Sequence, residues 1–332
     1  MSPPARRRGL STQHSALSTS VLGAVGQTPL VALDRLRAAR SLPGRVALKL
    51  EYYSPGGSVK DRAALRIVED AERDGRLRPG GTVVELTSGN MGIGLAVVCA
   101  VKGYRLVAVM SEGNSLERRR ALQALGAEVE LVRQVGRPRP GQVSKEDLEA
   151  VERRTEELVR RLGAFRPDQF RNPSAVRAHE ETTGPEIWRQ TDGRVTDFVA
   201  SVGTGGTFVG VARALKRASR AVRCYALEPA SAPALAGRPI TRTSHKLQGT
   251  GYAFVPPLWD PGLVDGYLTA TDDEAIEAAR LLATREGVFA GFSTGANVAG
   301  ALKLAGQTPA GSLVVTIAPD TGLKYLSTDL FP

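Results

Sequence analysis

The run Val46-Ala47-Leu48-Lys49-Leu50-Glu51-Tyr52-Tyr53-Ser54-Pro55-Gly56-Gly57-Ser58-Val59-Lys60-Asp61-Arg62 sets the terms for the whole chain. Residues 46–53 read as a strand. The Pro-Gly-Gly turn then reverses the backbone, and Ser58 stands where it can cap a helix over 59–73. Strand, glycine turn and helix in that order open a βα unit. Lys60 falls in the first turn of that helix. The positive end of the helix dipole and the nearby Arg62 both disfavour an ammonium there. A neutral amine so placed can form a Schiff base with an aldehyde cofactor. Taken alone, the same pattern also describes a surface lysine beside a cap.

Working outward, the βα unit repeats. Strands are expected at 82–86, 105–110 and 128–132, with helices at 92–102 and 116–125 between them. A Gly/Pro-rich break at 136–141 precedes a charged helix over 144–162. A second series follows: helix 182–190, strand 195–201, helix 208–216 and strand 222–228. A turn-rich loop spans 240–261, and helices 274–284 and 296–305 precede a buried strand at 313–317. Alternation of this kind marks a mostly parallel sheet covered on both faces. Two series suggest two α/β domains facing each other, with a ligand in the crevice at the strand ends.

Composition narrows the function classes. The 332 residues give about two domains at roughly 150 residues each. The net charge of +10 raises the question of nucleic acid. However, the basic residues are mixed with acids, as in Glu146-Asp147-Leu148-Glu149 followed by Arg153-Arg154 and Arg160-Arg161, which reads as a solvated helix face. No nucleic-acid partner is expected. No apolar run is long enough to span a membrane. The two cysteines, Cys99 and Cys224, can form neither a disulfide framework nor, alone, a structural zinc site, and both read as inert core residues. Three histidines make a histidine-rich metal site unexpected, and His245 reads as structural.

Residues 1–20 carry Arg6-Arg7-Arg8 and many Ser and Thr, with no acid before Asp34. They are expected to form a disordered tail. Their composition also fits an organellar targeting segment, but no secretory signal is present. The expected location is cytoplasmic.

Three further polar turns each follow a strand or open a helix. Thr87-Ser88-Gly89-Asn90-Met91-Gly92 offers hydroxyls, a carboxamide and backbone N–H groups suited to a carboxylate. Gly203-Thr204-Gly205-Gly206-Thr207 lets the backbone curl around an anion. It lacks the Gly-Lys-Ser/Thr ending of a P-loop, and no G-x-G-x-x-G opens the first βαβ unit. Gly291-Phe292-Ser293-Thr294-Gly295-Ala296 adds another polar helix start. One lysine, a carboxylate receptor, a phosphate cradle and an extra hydroxyl describe a site for pyridoxal 5'-phosphate and an amino acid.

Together with Gly26-Gln27-Thr28-Pro29-Leu30, Asp168-Gln169-Phe170-Arg171-Asn172-Pro173, Thr183-Gly184-Pro185-Glu186-Ile187 and Tyr325-Leu326-Ser327-Thr328, these segments resemble the cysteine synthase and cystathionine β-synthase group. These are the fold-type-II pyridoxal-phosphate enzymes, and the resemblance runs from about Val21 to Phe331. It implies two three-layer α/β/α domains with the active site in the cleft between them. The expected division is an N-terminal domain over 46–162, including a mobile substrate-binding part, and a C-terminal domain made of 21–45 with 163–332.

By the same resemblance, Lys60 carries the internal aldimine and later acts as the base. Asn90 bonds the cofactor's 3'-oxygen. Gly203, Thr204, Gly205, Gly206 and Thr207 hold its phosphate, and Ser293 faces the ring nitrogen. Thr87, Ser88, Asn90, Met91 and Gln169 bind the substrate carboxylate. The implied reaction is β-replacement on an activated L-serine, O-acetyl-L-serine or O-phospho-L-serine, by a sulfur nucleophile. It passes through an α-aminoacrylate and gives L-cysteine or an S-substituted analogue. The implied partners are small-molecule substrates and a second copy in a homodimer.

Departures from the common pattern are informative. Met91 stands where the family usually has threonine. With Glu112-Gly113-Asn114-Ser115, Ser144 and Gly322-Leu323-Lys324-Tyr325 it resembles an actinobacterial branch of S-sulfocysteine synthases, which use thiosulfate. Cystathionine, diaminopropionate and specialised-metabolite synthases are further alternatives. No room for a regulatory domain after Pro332, and no N-terminal Cys/His cluster for haem, count against a long regulated cystathionine synthase. For an O-phosphoserine donor, Arg238, Arg242 and Lys246 are the candidate cations.

Overall fold

The computed structural model describes residues 17–87, 89–114, 116–135 and 145–331. Among these, the strands are β1 (Leu30–Ala32), β2 (Arg45–Leu50), β3 (Thr82–Leu86), β4 (Arg105–Ser111), β5 (Glu128–Val132), β6 (Asp197–Ser201), β7 (Arg223–Pro229), β8 (Gly266–Ala270) and β9 (Leu313–Ala318). The helices in the first half are α1 (Asp34–Ala39), α2 (Lys60–Arg73), α3 (Asn90–Lys102), α4 (Leu116–Ala124) and α5 (Lys145–Leu162). Those in the second half are α6 (Ser174–Ala178), α7 (Gly184–Gln190), α8 (Gly206–Ala218), α9 (Asp272–Leu281) and α10 (Phe292–Ala305).

The strands form two sheets. One has six strands in the order β1-β2-β9-β6-β7-β8, and the other three in the order β3-β4-β5. Every pairing is parallel except β1 on β2. Register is set by pairs such as Arg45 with Leu313 and Thr82 with Arg105.

The central strands are buried almost end to end, because helices cover both faces of each sheet. On one face of the larger sheet, Leu48, Val199, Leu227 and Val314 pack with Val298, Ala301 and Leu302 of α10. On the other, Phe198, Ala200, Val315 and Ile317 meet Ile187 of α7 and Phe208, Val209 and Leu215 of α8. The smaller sheet presents Val83, Leu106 and Met110 to Ile67, Leu95 and Cys99 of α2 and α3. It presents Val84, Val107 and Val109 to Val151 and Leu158 of α5. The outcome is a mixed α/β architecture of covered sheets flanking a cleft.

Three expectations need correction. The strand placed at 46–53 ends at Leu50 as β2, with Glu51–Tyr53 a 3-10 turn; β2 pairs with β9 in the six-stranded sheet rather than with β3–β5. It therefore lies on the other side of the division drawn at residue 46. β1, α1 and β8 were not anticipated, being short and only partly buried. Finally, α3, α8 and α10 begin earlier than expected, at Asn90, Gly206 and Phe292. Glycines Gly89, Gly205 and Gly291 occupy their N-cap positions without a side-chain cap, so Asn90, Thr207, Ser293 and Thr294, read as turns, belong to first helical turns.

Residues 1–16 of the expected tail lie outside the described residues. Its remaining part leads into a 3-10 turn, Val21–Ala24, where the Ser20 hydroxyl accepts from Leu22 N at 3.1 Å. Cys99 and Cys224 are free and buried, and burial pushes both thiols up to about 12. No described helix is long and apolar enough to cross a membrane.

Candidate active site

The N-termini of α2, α3, α8 and α10 converge on one cleft of about 880 Å³, part of it open to solvent. Lys60, Thr87, Asn90, Met91, Gln169, Gly203, Thr204, Gly205, Thr207 and Ser293 all line it. Gly206 stands behind the wall, and a Cβ there would lie 3.2 Å from Ala175. Ser88 lies outside the described residues. Residues from all four helix starts line the cleft, and the positive ends of the helix dipoles favour an anion there.

Lys60 is the first residue of α2. Val59, not Ser58, is its N-cap, although the Ser58 hydroxyl accepts from Lys60 N at 3.3 Å. No carboxylate within the described residues forms an ion pair with the Lys60 amine. Burial lowers its pKa to about 8. The direction agrees with the sequence reading, but the cause differs. Arg62 does not set it, because the Arg62 charge is already balanced.

Arg62 donates from Nε to Glu51 Oε2 at 2.7 Å and from Nη1 to Glu186 Oε1 at 2.6 Å. Lys49 closes the group, with Nζ at 2.6 Å from Glu186 Oε2, 2.7 Å from Thr28 O and 2.8 Å from Gln190 Oε1. Burial alone would raise the Glu186 carboxyl, yet Arg62 and Lys49 outweigh it and hold the pKa near about 2. Two cations and two anions are thus buried as a closed set beneath the Lys60 turn.

Thr87 orders the start of α3. Its Oγ1 accepts from Gly89 N at 3.1 Å and Gly92 N at 2.9 Å, leaving its hydroxyl proton for a ligand. Asn90 donates from Nδ2 to Asp320 Oδ2 at 2.8 Å, and its Oδ1 accepts from Lys324 Nζ at 2.7 Å. Gln169 is presented by Asp168, whose φ of +46° is left-handed and whose N donates to the buried Glu85 at 2.7 Å. Burial raises the Glu85 carboxyl to about 8.

The glycine loop before α8 is shaped by close approach. A Cβ on Gly203 would lie 2.3 Å from Gly249 O, and Gly205 holds φ at +92°. The facing loop is stitched to the end of β6: Gly251 N and the Thr250 hydroxyl donate to Val202 O at 3.0 and 2.8 Å. Behind the loop, Thr207 Oγ1 meets His179 Nε2 at 3.2 Å, and His179 Nδ1 meets Thr183 Oγ1 at 2.9 Å. Burial, with the charges of Arg62 and Lys60, holds His179 well below its usual pKa, so it is neutral. An uncapped helix start behind a loop of close-approach glycines fits a phosphate, and the buried amine opposite fits an aldehyde. The donor set therefore suits pyridoxal phosphate.

Ser293 is nearly buried in the first turn of α10. Asn297, one turn on, bridges Ser201 N at 2.7 Å and Ile317 O at 2.8 Å, locking α10 to the ends of β6 and β9. The sequence reading missed Asn297, as well as Arg118, Gln248, Thr250 and Tyr252 in the lining. Arg118, on α4, hydrogen-bonds Gln248, in the loop between β7 and β8, and both line the cleft. A signal for Arg118 existed in the charged start of α4, but nothing local tied it to the cleft.

Conversely, Arg238, Arg242 and Lys246 do not line the cleft. Arg242 pairs with Asp272 and Lys246 with Asp329, because their loop packs against α9 and the chain end. His245 Nε2 meets Gly251 O at 2.8 Å, a structural contact as expected.

Fold and cleft together define a pyridoxal-phosphate enzyme of fold type II. The family described as "Pyridoxal-phosphate dependent enzyme" matches residues 21–320. A cysteine synthase of Staphylococcus aureus is 43% identical over 308 residues, covering 92% of this chain and 95% of its own. An O-ureido-L-serine synthase of Streptomyces lavendulae is 42% identical over 316 residues, covering 95% and 93%. Among solved structures, O-acetylserine sulfhydrylase isoform 3 of Entamoeba histolytica superimposes with a TM-score of 0.89 at 35% identity, covering 98% of this chain and 95% of that one. The chain belongs to the cysteine synthase family of pyridoxal-phosphate-dependent enzymes.

Proposed function

We propose that this chain replaces the β-substituent of an activated L-serine, O-acetyl-L-serine or O-phospho-L-serine, by a sulfur nucleophile, giving L-cysteine or an S-substituted analogue. The observation that carries this reading is the half-buried amine of Lys60, in a cleft lined by three other helix starts, with no carboxylate paired to it among the described residues. Bound pyridoxal phosphate supplies an electron sink for the α-carbon of an amino acid. Lys60 Nζ takes the α-proton and later returns it; a pKa of about 8 lets it serve in both directions near neutral pH. The loop from Gly203 to Thr207 holds a phosphate, with Thr207 backed by His179.

Thr87, Asn90, Met91, Gln169 and, by its place in the same turn, Ser88 hold the substrate carboxylate. Met91, nearly buried, brings no hydroxyl to this receptor. Ser293 offers a neutral hydroxyl to a ring nitrogen and so places no counter-charge there. As part of the same proposal, the enzyme is a cytoplasmic homodimer, the latter checked by light scattering of the holoenzyme.

A second reading is a specialised β-substituted alanine synthase. It is favoured by the 42% identity to the O-ureido-L-serine synthase, nearly equal to the 43% with the cysteine synthase. The deciding measurement is kcat/KM for O-acetylserine, O-phosphoserine and serine, each paired with sulfide, thiosulfate, homocysteine and hydroxyurea. Turnover led by sulfide supports the first reading. Thiosulfate in the lead would select the S-sulfocysteine product. Turnover with hydroxyurea and none with any sulfur nucleophile would replace the first reading with the second.

A further inference from the structure

We propose that Lys324 and Asp320 are positioning residues that fix the carboxamide of Asn90 in one orientation and leave one defined N–H for a ligand beside Lys60. The inference rests on the reading that Asn90 faces an oxygen of the bound cofactor.

The argument begins with donor counting. Lys324 Nζ has three acceptors: Gly56 O at 3.1 Å, Gly57 O at 3.2 Å and Asn90 Oδ1 at 2.7 Å. Backbone carbonyls can only accept, and an ammonium has three protons and no lone pair. Burial lowers the Lys324 pKa, and the charges of Asp320 and Asp61 oppose that; as an ammonium Lys324 has all three protons assigned, and the Asn90 atom it meets is then the oxygen.

The other side is decided in the same way. Asp320 Oδ2 receives Asn90 Nδ2 at 2.8 Å and the Tyr325 hydroxyl at 2.7 Å. A carboxylate accepts only, so the Asn90 atom there must be the nitrogen. The two ends of an amide are ordinarily assigned by network alone, and here a cation and an anion on opposite sides leave one solution. Turning the amide over would set N–H groups against an ammonium and an oxygen against a carboxylate. Asn90 lines the cleft with Lys60, and its second N–H has no partner among the described residues. Asn90 is thus a donor to the cleft.

The clamp is anchored to the rest of the site. The segment just after β9 also takes Val59 N on Pro319 O at 2.7 Å and pairs Ser58 with Asp320. Gly291 N, at the start of α10, donates to Asp320 O at 3.2 Å. Asp320 and Tyr325 are buried. One short stretch therefore sets the Lys60 turn, the Asn90 amide and the Ser293 helix relative to one another. It also gives a role to the sequence Gly322-Leu323-Lys324-Tyr325.

The test uses the holoenzyme with Lys324→Met, Lys324→Arg, Asn90→Ala and the Lys324→Met/Asn90→Ala double variant. Readouts are the visible absorbance maximum of bound cofactor, kcat and KM for the amino-acid donor, and thermal unfolding. Lys324→Met is expected to shift the absorbance maximum and to lower kcat roughly tenfold with little change in KM, the scale of one misdirected charge-assisted hydrogen bond. Lys324→Arg restores most of both. In the Asn90→Ala background, Lys324→Met adds nothing further.

Fully additive effects, or an absorbance maximum unmoved by Lys324→Met while Asn90→Ala moves it, would overturn the proposal. An Asn90→Ala variant with unchanged absorbance would instead overturn the underlying reading of Asn90. Should Lys324→Met fail to fold, Lys324→Gln, neutral but still able to donate, carries the same comparison.

Discussion

Lys60 and Arg62 stand two residues apart in the first turn of α2, and their surroundings are opposite. Arg62 turns toward the core, where Glu51 and Glu186 meet its guanidinium at 2.6–2.8 Å and Lys49 and Thr28 complete the set. Lys60 turns toward the cleft, where no carboxylate answers its amine and burial lowers its pKa to about 8. The difference separates structural from chemical use of a buried cation. A charge that must stay is surrounded by counter-charges and saturated hydrogen bonds. An amine that must lose its proton is left unpaired. The closed set under Arg62 holds rigid the turn that presents Lys60.

The sharpest way to break this comparison is to remove Lys60. Lys60→Ala should lower kcat/KM by at least about 1,000-fold, since it deletes both nucleophile and base. Its thermal unfolding without cofactor should be no lower than wild type, because no ion pair is lost. A variant that keeps substantial activity would end the assignment of Lys60.

Arg62→Met tests the opposite prediction. It leaves Glu51 without a cation and Glu186 with Lys49 alone in the interior, and should cost about 3–5 kcal/mol of stability, read from urea unfolding. A loss below about 1 kcal/mol, the range of exposed ion pairs, would mean the network is not the closed buried set described.

The smallest effect concerns pH. The folded value for Lys60, about 8, lies below the ordinary lysine value of 10.5, so the unfolded chain binds the extra proton between them. The contribution of Lys60 to apo-protein stability should therefore rise as pH climbs from about 8 to 10.5, and that rise should vanish in Lys60→Ala. Capture of the cofactor by apo-protein should likewise speed up with pH and level off above about 8. A capture rate flat across this window would contradict a buried, unpaired amine.

Much of the architecture was legible because βα repetition writes itself into apolar runs and glycine turns. β3 and β5 fall at the expected residues, and β4, α4 and β9 within about one residue of them. The helix starts were less legible. Gly89, Gly205 and Gly291 carry no side chain that could signal a cap, so Asn90, Gly206 and Ser293 read as loop. The partner of β2 was not legible, because β9 lies more than 260 residues away and the pairing leaves no local trace. The candidate phosphate-binding cations were misplaced for a similar reason: their partners, Asp272 and Asp329, come from other elements.

The sequence by itself determined the alternation of strands and helices, the four polar turns and the place of Lys60 just after a glycine turn. Those properties depend on residues within a turn or two of one another. Only the tertiary structure decided that Lys60 is unpaired while Arg62 is not, and that Asn90 is held between Lys324 and Asp320. It also placed Arg118 and Asn297 in the cleft and left Arg242 and Lys246 outside it. Charge and hydrogen-bond balance depend on groups brought together from distant parts of the chain, and that balance is settled by packing.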